Sequence, residues 1–182
     1  MIKLDLRKAL KAKRNSLSKE EVLKKSKKIC EIFTSSKEFL SAETIMVYLP
    51  INNEVDTKDL ILKAFELKKT VLVPVTEGTK ITPFVLDRSS SLLPGGYGIL
   101  EPQNSTKWDK DLDVCVIPGL GFDRSGRRIG FGKGCYDRFL SEVPLKKVGF
   151  SFCLQIEEKI YTEPTDIPMD IVVTEEEMFY CE

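Results

Sequence analysis

Four short runs in this chain are apolar at nearly every position: Thr44-Ile45-Met46-Val47-Tyr48-Leu49, Thr70-Val71-Leu72-Val73, Asp113-Val114-Cys115-Val116-Ile117 and Lys147-Val148-Gly149-Phe150-Ser151-Phe152. A strand with one wet face alternates apolar and polar residues, whereas a strand apolar throughout must be covered on both faces. Three of the runs reach a proline: the first ends at Pro50, while Pro74 and Pro118 read as the last residues of theirs. Ile81–Leu86 and Ile171–Val173 read as further strands. Helical patterns alternate with them. Residues 2–14 put Ile2, Leu6, Ala9 and Leu10 on one face and Lys3, Arg7, Lys11 and Arg14 on a second stripe. Ser18-Lys19-Glu20-Glu21 is a capping box, with Leu17 and Val22 as its hydrophobic staple, opening a helix to about Phe33. Asp56 is expected to cap a helix from Lys58 to about Lys68, with Leu60, Ala64 and Leu67 inward, and a shorter helix is expected from Tyr136 to Glu142. Doubly covered strands alternating with helices give an α/β chain. The expected fold is a three-layer α/β/α sandwich with a largely parallel, mixed sheet, Rossmann-like, in which residues 1–182 form a single domain.

Composition removes chemistry from consideration. The chain has no histidine, which excludes Ser-His-Asp and Cys-His nucleophile sites, His-ligated zinc and imidazole switches. Its five cysteines form no C-x-x-C pair, and three lie in apolar runs, as expected of free thiols in a reducing cytoplasm. No apolar run approaches the roughly 20 residues that span a bilayer, so neither a membrane nor a signal peptide is expected. Net charge is zero, but residues 1–40 carry 12 Lys/Arg against 5 Asp/Glu, and residues 151–182 carry 1 against 9. With almost no aromatics among the basic residues, a nucleic-acid partner is not expected. The two ends are expected either to meet electrostatically or to face an anionic ligand.

Ligands of open α/β sheets bind at the carboxyl ends of strands. Two such ends lead into notable loops: Pro50-Ile51-Asn52-Asn53-Glu54, and Pro118-Gly119-Leu120-Gly121-Phe122-Asp123 running on to Tyr136-Asp137-Arg138. In the second loop Gly130, Gly132 and Gly134 leave backbone N–H groups free to face an anion, just before a helix start, with Arg128 and Lys133 beside them. Asp137 is positioned to hold Mg²⁺ in that helix's first turn. The loop is neither a Walker A motif nor G-x-G-x-x-G. A flexible glycine turn with solvated charges would read the same way by spacing alone. The segment from Arg88 to Lys110, rich in Ser, Pro and Gly, reads as a loop and a candidate lid.

Pro118-Gly119-Leu120-Gly121-Phe122-Asp123, Gly126, Arg128-Ile129-Gly130, Gly132, Gly134 and Tyr136-Asp137-Arg138 together resemble the 5-formyltetrahydrofolate cyclo-ligase family, also called 5,10-methenyltetrahydrofolate synthetases. The resemblance extends to Lys3-x-x-x-Arg7, Tyr48-Leu49-Pro50, Glu54-Val55-Asp56-Thr57, Gly98-Ile99-Leu100-Glu101-Pro102, Gln155, Asp166 and Val173-Thr174-Glu175. It implies an ATP- and Mg²⁺-dependent enzyme that closes 5-formyltetrahydrofolate to 5,10-methenyltetrahydrofolate, releasing ADP and phosphate. It implies that Lys3 and Arg7 reach ATP from the first helix. Arg128, Ile129, Gly130, Phe131, Gly132, Lys133, Gly134, Cys135 and Tyr136 would cradle its phosphates, with Arg128 and Lys133 acting in catalysis. Asp137 and Asp166 would be the magnesium carboxylates. Leu49, Glu54, Tyr97 and Cys135 would line the folate site, and Phe84 is added to that wall as a guess. The expected partner is a small molecule, and the expected assembly a monomer or weak homodimer.

Three positions depart from the family's usual residues. Cys135 stands where Tyr is usual, Thr165 where many relatives have His, and Phe131 where Arg or Tyr is common. The first removes a ring from the substrate wall, which is expected either to weaken folate packing or to leave Phe131 to compensate from the other side of the loop. Two other readings remain open at this level. One is a non-catalytic folate or small-ligand sensor on the same scaffold. The other is a sugar-phosphate isomerase or CoA-transferase type of enzyme, with Glu54 as its carboxylate.

Overall fold

A computed structural model describes residues 3–182; Ile2, expected on the inner face of the first helix, lies outside them. The elements are α1 (Lys3–Asn15), α2 (Lys19–Thr34), α3 (Lys37–Ser41), β1 (Thr44–Val47), α4 (Lys58–Glu66), β2 (Thr70–Glu77), β3 (Lys80–Leu86), β4 (Leu92–Pro94), β5 (Leu100–Pro102), β6 (Val114–Ile117), β7 (Gly121–Phe122), β8 (Arg128–Ile129), α5 (Cys135–Glu142), β9 (Lys146–Phe150), β10 (Ile171–Val173) and β11 (Met178–Tyr180). Seven strands form the main sheet in the order β11-β10-β9-β6-β1-β2-β3. The pairs β1–β2, β1–β6, β6–β9 and β9–β10 are parallel, while β2–β3 and β10–β11 are antiparallel. The sheet is therefore mixed and mostly parallel, and the chain is a single α/β domain.

The apolar runs are buried on both faces, as their lack of alternation requires. Ile45, Val47, Val71, Val73, Val114 and Val116 join a core layer with Ile29 and Phe33 of α2, Phe39 of α3 and Leu60 and Ala64 of α4. Their sequence neighbours Met46, Leu72, Cys115 and Ile117 point the other way and pack against Phe139 and Leu140 of α5. Helices thus cover the two faces, giving the three layers. No helix of the described residues is long and apolar enough to cross a membrane.

Helix boundaries follow local chemistry. The capping box of α2 is formed as expected: Ser18 Oγ accepts from Glu21 N–H and Glu21 accepts from Ser18 N–H. The cap of α4 falls on Thr57 rather than Asp56; Thr57 Oγ1 donates to Tyr48 O, and Asp56 Oδ1 accepts from Lys58 N–H just outside the helix. That helix ends at Glu66 because Lys68 turns to φ 56°, and Leu67, expected inward, is 44% exposed. Ala9, expected inward on α1, is exposed too. Several elements were not expected, the β7–β8 hairpin inside the glycine-rich loop among them. Helix α3 starts where Ser36 Oγ accepts from Phe39 N–H, β11 returns from a turn held by Thr174 Oγ1, and the supposed loop 88–110 carries the small β4–β5 hairpin.

The oppositely charged ends of the chain do meet. Lys3 Nζ lies 2.7 Å from Asp166 and 3.0 Å from Glu163, Lys13 Nζ 2.7 Å from Glu157, and Lys25 Nζ 2.7 Å from Glu175.

Candidate active site

Strand order reverses direction between β1 and β6. From β1 the sheet runs outward to β2, and from β6 it runs the other way to β9 and β10. The carboxyl ends of β1 and β6 therefore diverge over a crevice, the usual ligand position in such sheets. A cleft of about 810 Å³ lies there, lined by both loops singled out in the sequence and by Lys3, Arg7, Tyr97 and Asp166. Every residue expected to hold nucleotide, folate or metal lines this cleft except Phe84. Phe84 is on the wrong side of β3: Ile81 lines the cleft, and a residue three positions along a strand points to the opposite face. Ile81, with Pro74 and Thr76 of β2, takes that part of the wall. An outward-facing aromatic and an inward-facing one look alike in a strand whose partners are unknown.

The loop after β6 is folded tightly before it reaches the cleft. Asp123, almost fully buried, accepts from the N–H groups of Ser125, Arg127 and Ile160, and Gln155 Nε2 donates to Gly119 O and Leu120 O. Strands β7 and β8 then pair as a short hairpin that delivers Arg128 to the cleft. The Arg128 side chain is 8% exposed; Nη1 donates to Pro118 O at 3.3 Å and Nη2 to both Asp137 carboxylate oxygens at 3.4 Å. Its Nε is buried without a partner.

Beyond it, Gly132 sits at φ 94° with the Arg7 guanidinium against it, 3.2 Å from where a Cβ would stand. Gly134, at φ 68°, is the N-cap of α5 and offers no side chain to its free amides. Both positions require glycine, and together they leave the first turn of α5 with unpaired N–H groups facing the cleft. Arg7 Nε donates to Gly130 O at 3.0 Å. Lys133 Nζ rests 5.5 Å from the centroid of Tyr97, whose hydroxyl donates to Gly78 O.

Two carboxylates border this cationic end. Asp137 Oδ1 also accepts from Ile167 N–H at 3.1 Å. Asp166 Oδ2 accepts from Lys3 Nζ and from Glu163 N–H. Burial works against ionising Asp166, but those two hydrogen bonds outweigh it and hold the carboxyl below its usual range. For Lys3, burial is likewise outweighed by Asp166 and Glu163, so its ammonium is stabilised. Two carboxylates beside a loop of free amides suit a divalent cation completed by phosphate oxygens rather than an all-protein cage. Among the described residues no group of three or more acidic or thiol ligands converges.

The inner end of the cleft differs. Glu54 is 5% exposed, and one of its oxygens accepts from Ile51 N–H at 2.9 Å. Burial pushes its carboxyl up to about 7, against the opposing effect of that hydrogen bond and of the Arg14 charge. Tyr48 and Tyr136 face it, and burial raises both phenols well above their ordinary values, so they stay neutral. Cys135 opens α5, half-buried, and Leu49 adds apolar wall. Thr165 and Phe131 line the cleft as well, Phe131 with 47% of its surface open.

Residues 2–175 match the model of the 5-formyltetrahydrofolate cyclo-ligase family. A probable 5-formyltetrahydrofolate cyclo-ligase of Caenorhabditis elegans is 32% identical over 97% of this chain and 94% of its own length. The 5-formyltetrahydrofolate cyclo-ligase of Escherichia coli K12 is also 32% identical, over 73% of this chain and 78% of its own. The solved 5,10-methenyltetrahydrofolate synthetase of Aquifex aeolicus superposes with a TM-score of 0.89 at 35% identity, covering 99% of this chain and 93% of the other. Shared architecture and a family match along nearly the whole chain agree with the site: the protein belongs to the 5-formyltetrahydrofolate cyclo-ligase family of enzymes.

Proposed function

We propose that this chain closes 5-formyltetrahydrofolate to 5,10-methenyltetrahydrofolate at the expense of ATP, with Mg²⁺, releasing ADP and phosphate. The observation that carries this is one cleft at the β1/β6 crevice that has both a cation- and glycine-lined end and a carboxylate-bearing inner end. A formamide carbon is a poor electrophile because its oxygen leaves poorly. The formyl oxygen attacks the terminal phosphorus and the bond to ADP breaks, giving an imidate phosphate. N10 then attacks the formyl carbon, the carbon–oxygen bond breaks, phosphate departs and the N10 proton goes to phosphate or water. Both steps need positioning and charge neutralisation more than a side-chain base, which suits a chain without histidine.

The chain's own groups divide that work. The free amides from Gly132 into α5, with Arg128 and Lys133, would bind the phosphates and stabilise charge on the group in flight. Arg7 and Lys3 would approach the nucleotide from α1. Asp137 and Asp166 would hold Mg²⁺, which when bound supplies further neutralisation of phosphate charge. Glu54 would accept N–H groups of the folate's pyrimidinone edge, with Leu49, Tyr97 and Cys135 along the substrate.

The test follows absorbance in the methenyl product's band with purified protein, 5-formyltetrahydrofolate and Mg²⁺, with and without ATP. Product only with ATP is expected. No product with retained folate binding would overturn the reading in favour of a sensor.

A further inference from the structure

The side chain of Arg14, at the end of α1, is 1% exposed, and none of Nε, Nη1 and Nη2 has a hydrogen-bond partner. Its aromatic neighbour is Phe131, whose ring centroid is 5.8 Å from Cζ. A buried guanidinium without acceptors is costly, and in a native protein such an orphan calls for an explanation. Packing is a poor one, since an apolar side chain of similar volume would fill the space without the desolvation penalty. The carboxylate whose field acts on Arg14 is Glu54, on the loop after β1, and the influence is mutual. The two make no ion pair within 4.0 Å, so Glu54 keeps lone pairs for something else. That loop is tied to α1 at the same point: Asn53 Nδ2 donates to Arg14 O and Leu17 O.

We infer that Arg14 is a positioning residue that acts through Glu54, supplying from behind the cleft wall the positive charge that keeps this carboxylate an acceptor for the substrate's N–H groups. The inference rests on the reading of Glu54 as a folate contact. Among the described residues no other group near Glu54 can take this part. Tyr48 from the end of β1 and Tyr136 from α5 are neutral phenols, and Ile51 offers a backbone dipole only. A closer pairing would occupy the oxygens that the substrate needs. A charge held at a distance favours ionisation while leaving the acceptor open.

The test compares wild type with Arg14→Met, following the Glu54 carboxyl by ¹³C NMR through a pH titration and measuring KM for 5-formyltetrahydrofolate, KM for ATP and kcat. Expected is an upward shift of the Glu54 titration by about one pH unit, a tenfold change in its ionisation equilibrium. At pH 7.5 the folate KM should rise several-fold and recover toward pH 9, with the ATP KM unchanged. An unmoved Glu54 titration overturns the inference, as does an equal rise in both KM values. Arg14→Gln repeats the measurement with a neutral polar side chain; if neither variant folds, Arg14 is a structural charge and the inference falls. The NMR titration requires no turnover, so an inactive wild type would refute the proposed reaction while leaving the Arg14–Glu54 coupling separately decided.

Discussion

The two ends of the cleft solve opposite electrostatic problems. At the end formed by the glycine loop and α1 nearly every charge already has a partner: Lys3 with Asp166, Arg128 with Asp137, Arg7 with a glycine carbonyl. At the inner end Glu54 and Arg14 are both buried and neither has a charged partner in contact. Pre-paired ions can exchange protein partners for ligand ones at little net cost, because the ligand replaces what it displaces. Unpaired buried groups gain more from a ligand and cost more without one. The first end is suited to a multiply charged group that comes and goes, and the second to recognising a particular pattern of donors.

This contrast breaks most readily at Asp137. Asp137→Asn keeps the acceptor for Ile167 N–H and so the fold, but removes the charge facing Arg128 and the proposed metal. Turnover at ordinary Mg²⁺ should fall by about a thousandfold, and turnover at the wild-type rate would remove Asp137 from the metal site. At the inner end the effect is on stability. Glu54 is protonated below about 7 in the folded chain and below about 4.5 when unfolded. The stability it contributes is fully present below the lower value and lost as pH rises through the upper one, by an order of magnitude of about 3 kcal/mol. Denaturant titrations should therefore show Glu54→Gln gaining on wild type between pH 5 and pH 8; parallel pH profiles would contradict the burial argument.

Smaller effects sharpen the division between the two ends. Lys133→Ala should raise the KM for ATP about tenfold, the worth of one charge-assisted contact, and leave that for folate unchanged. An unaltered ATP KM would place Lys133 outside the phosphate site. The pairing of the chain's ends away from the cleft should matter least. Lys13 and Glu157 are partly solvated, and Lys13→Ala should cost under about 1 kcal/mol in an urea melt, less still in high salt. A larger loss would show that the ends are joined by more than exposed ion pairs.

Much of this architecture was legible in the sequence because the signals were local. Unalternating apolar runs announced doubly covered strands, and Ser18 with Glu21 announced α2. The glycines after β6 announced the loop that lines the cleft. What was not legible depends on partners remote in the chain. Phe84 was placed in the cleft because its face of β3 is set by pairing with β2. Strand β11 exists only because β10 offers an edge, and α3 is too short to show a period. Arg14 read as one more member of a basic stripe with Lys3, Arg7 and Lys11. One helix stripe thus contains cleft cations, a solvated lysine and a buried unpaired guanidinium. Spacing fixes which residues share a stripe, but the depth at which each is buried is set by the loops laid against it.

Lys3 and Asp166 meet across 163 residues of chain. The cleft is consequently among the last things a growing polypeptide can assemble: a nascent chain that has already made every strand from β1 to β9 still lacks one of its carboxylates. Closing so large a loop is also entropically late in refolding from denaturant. Recovery of ligand binding should therefore lag behind recovery of the sheet, and a C-terminal deletion reaching Asp166 should leave strands without a finished site.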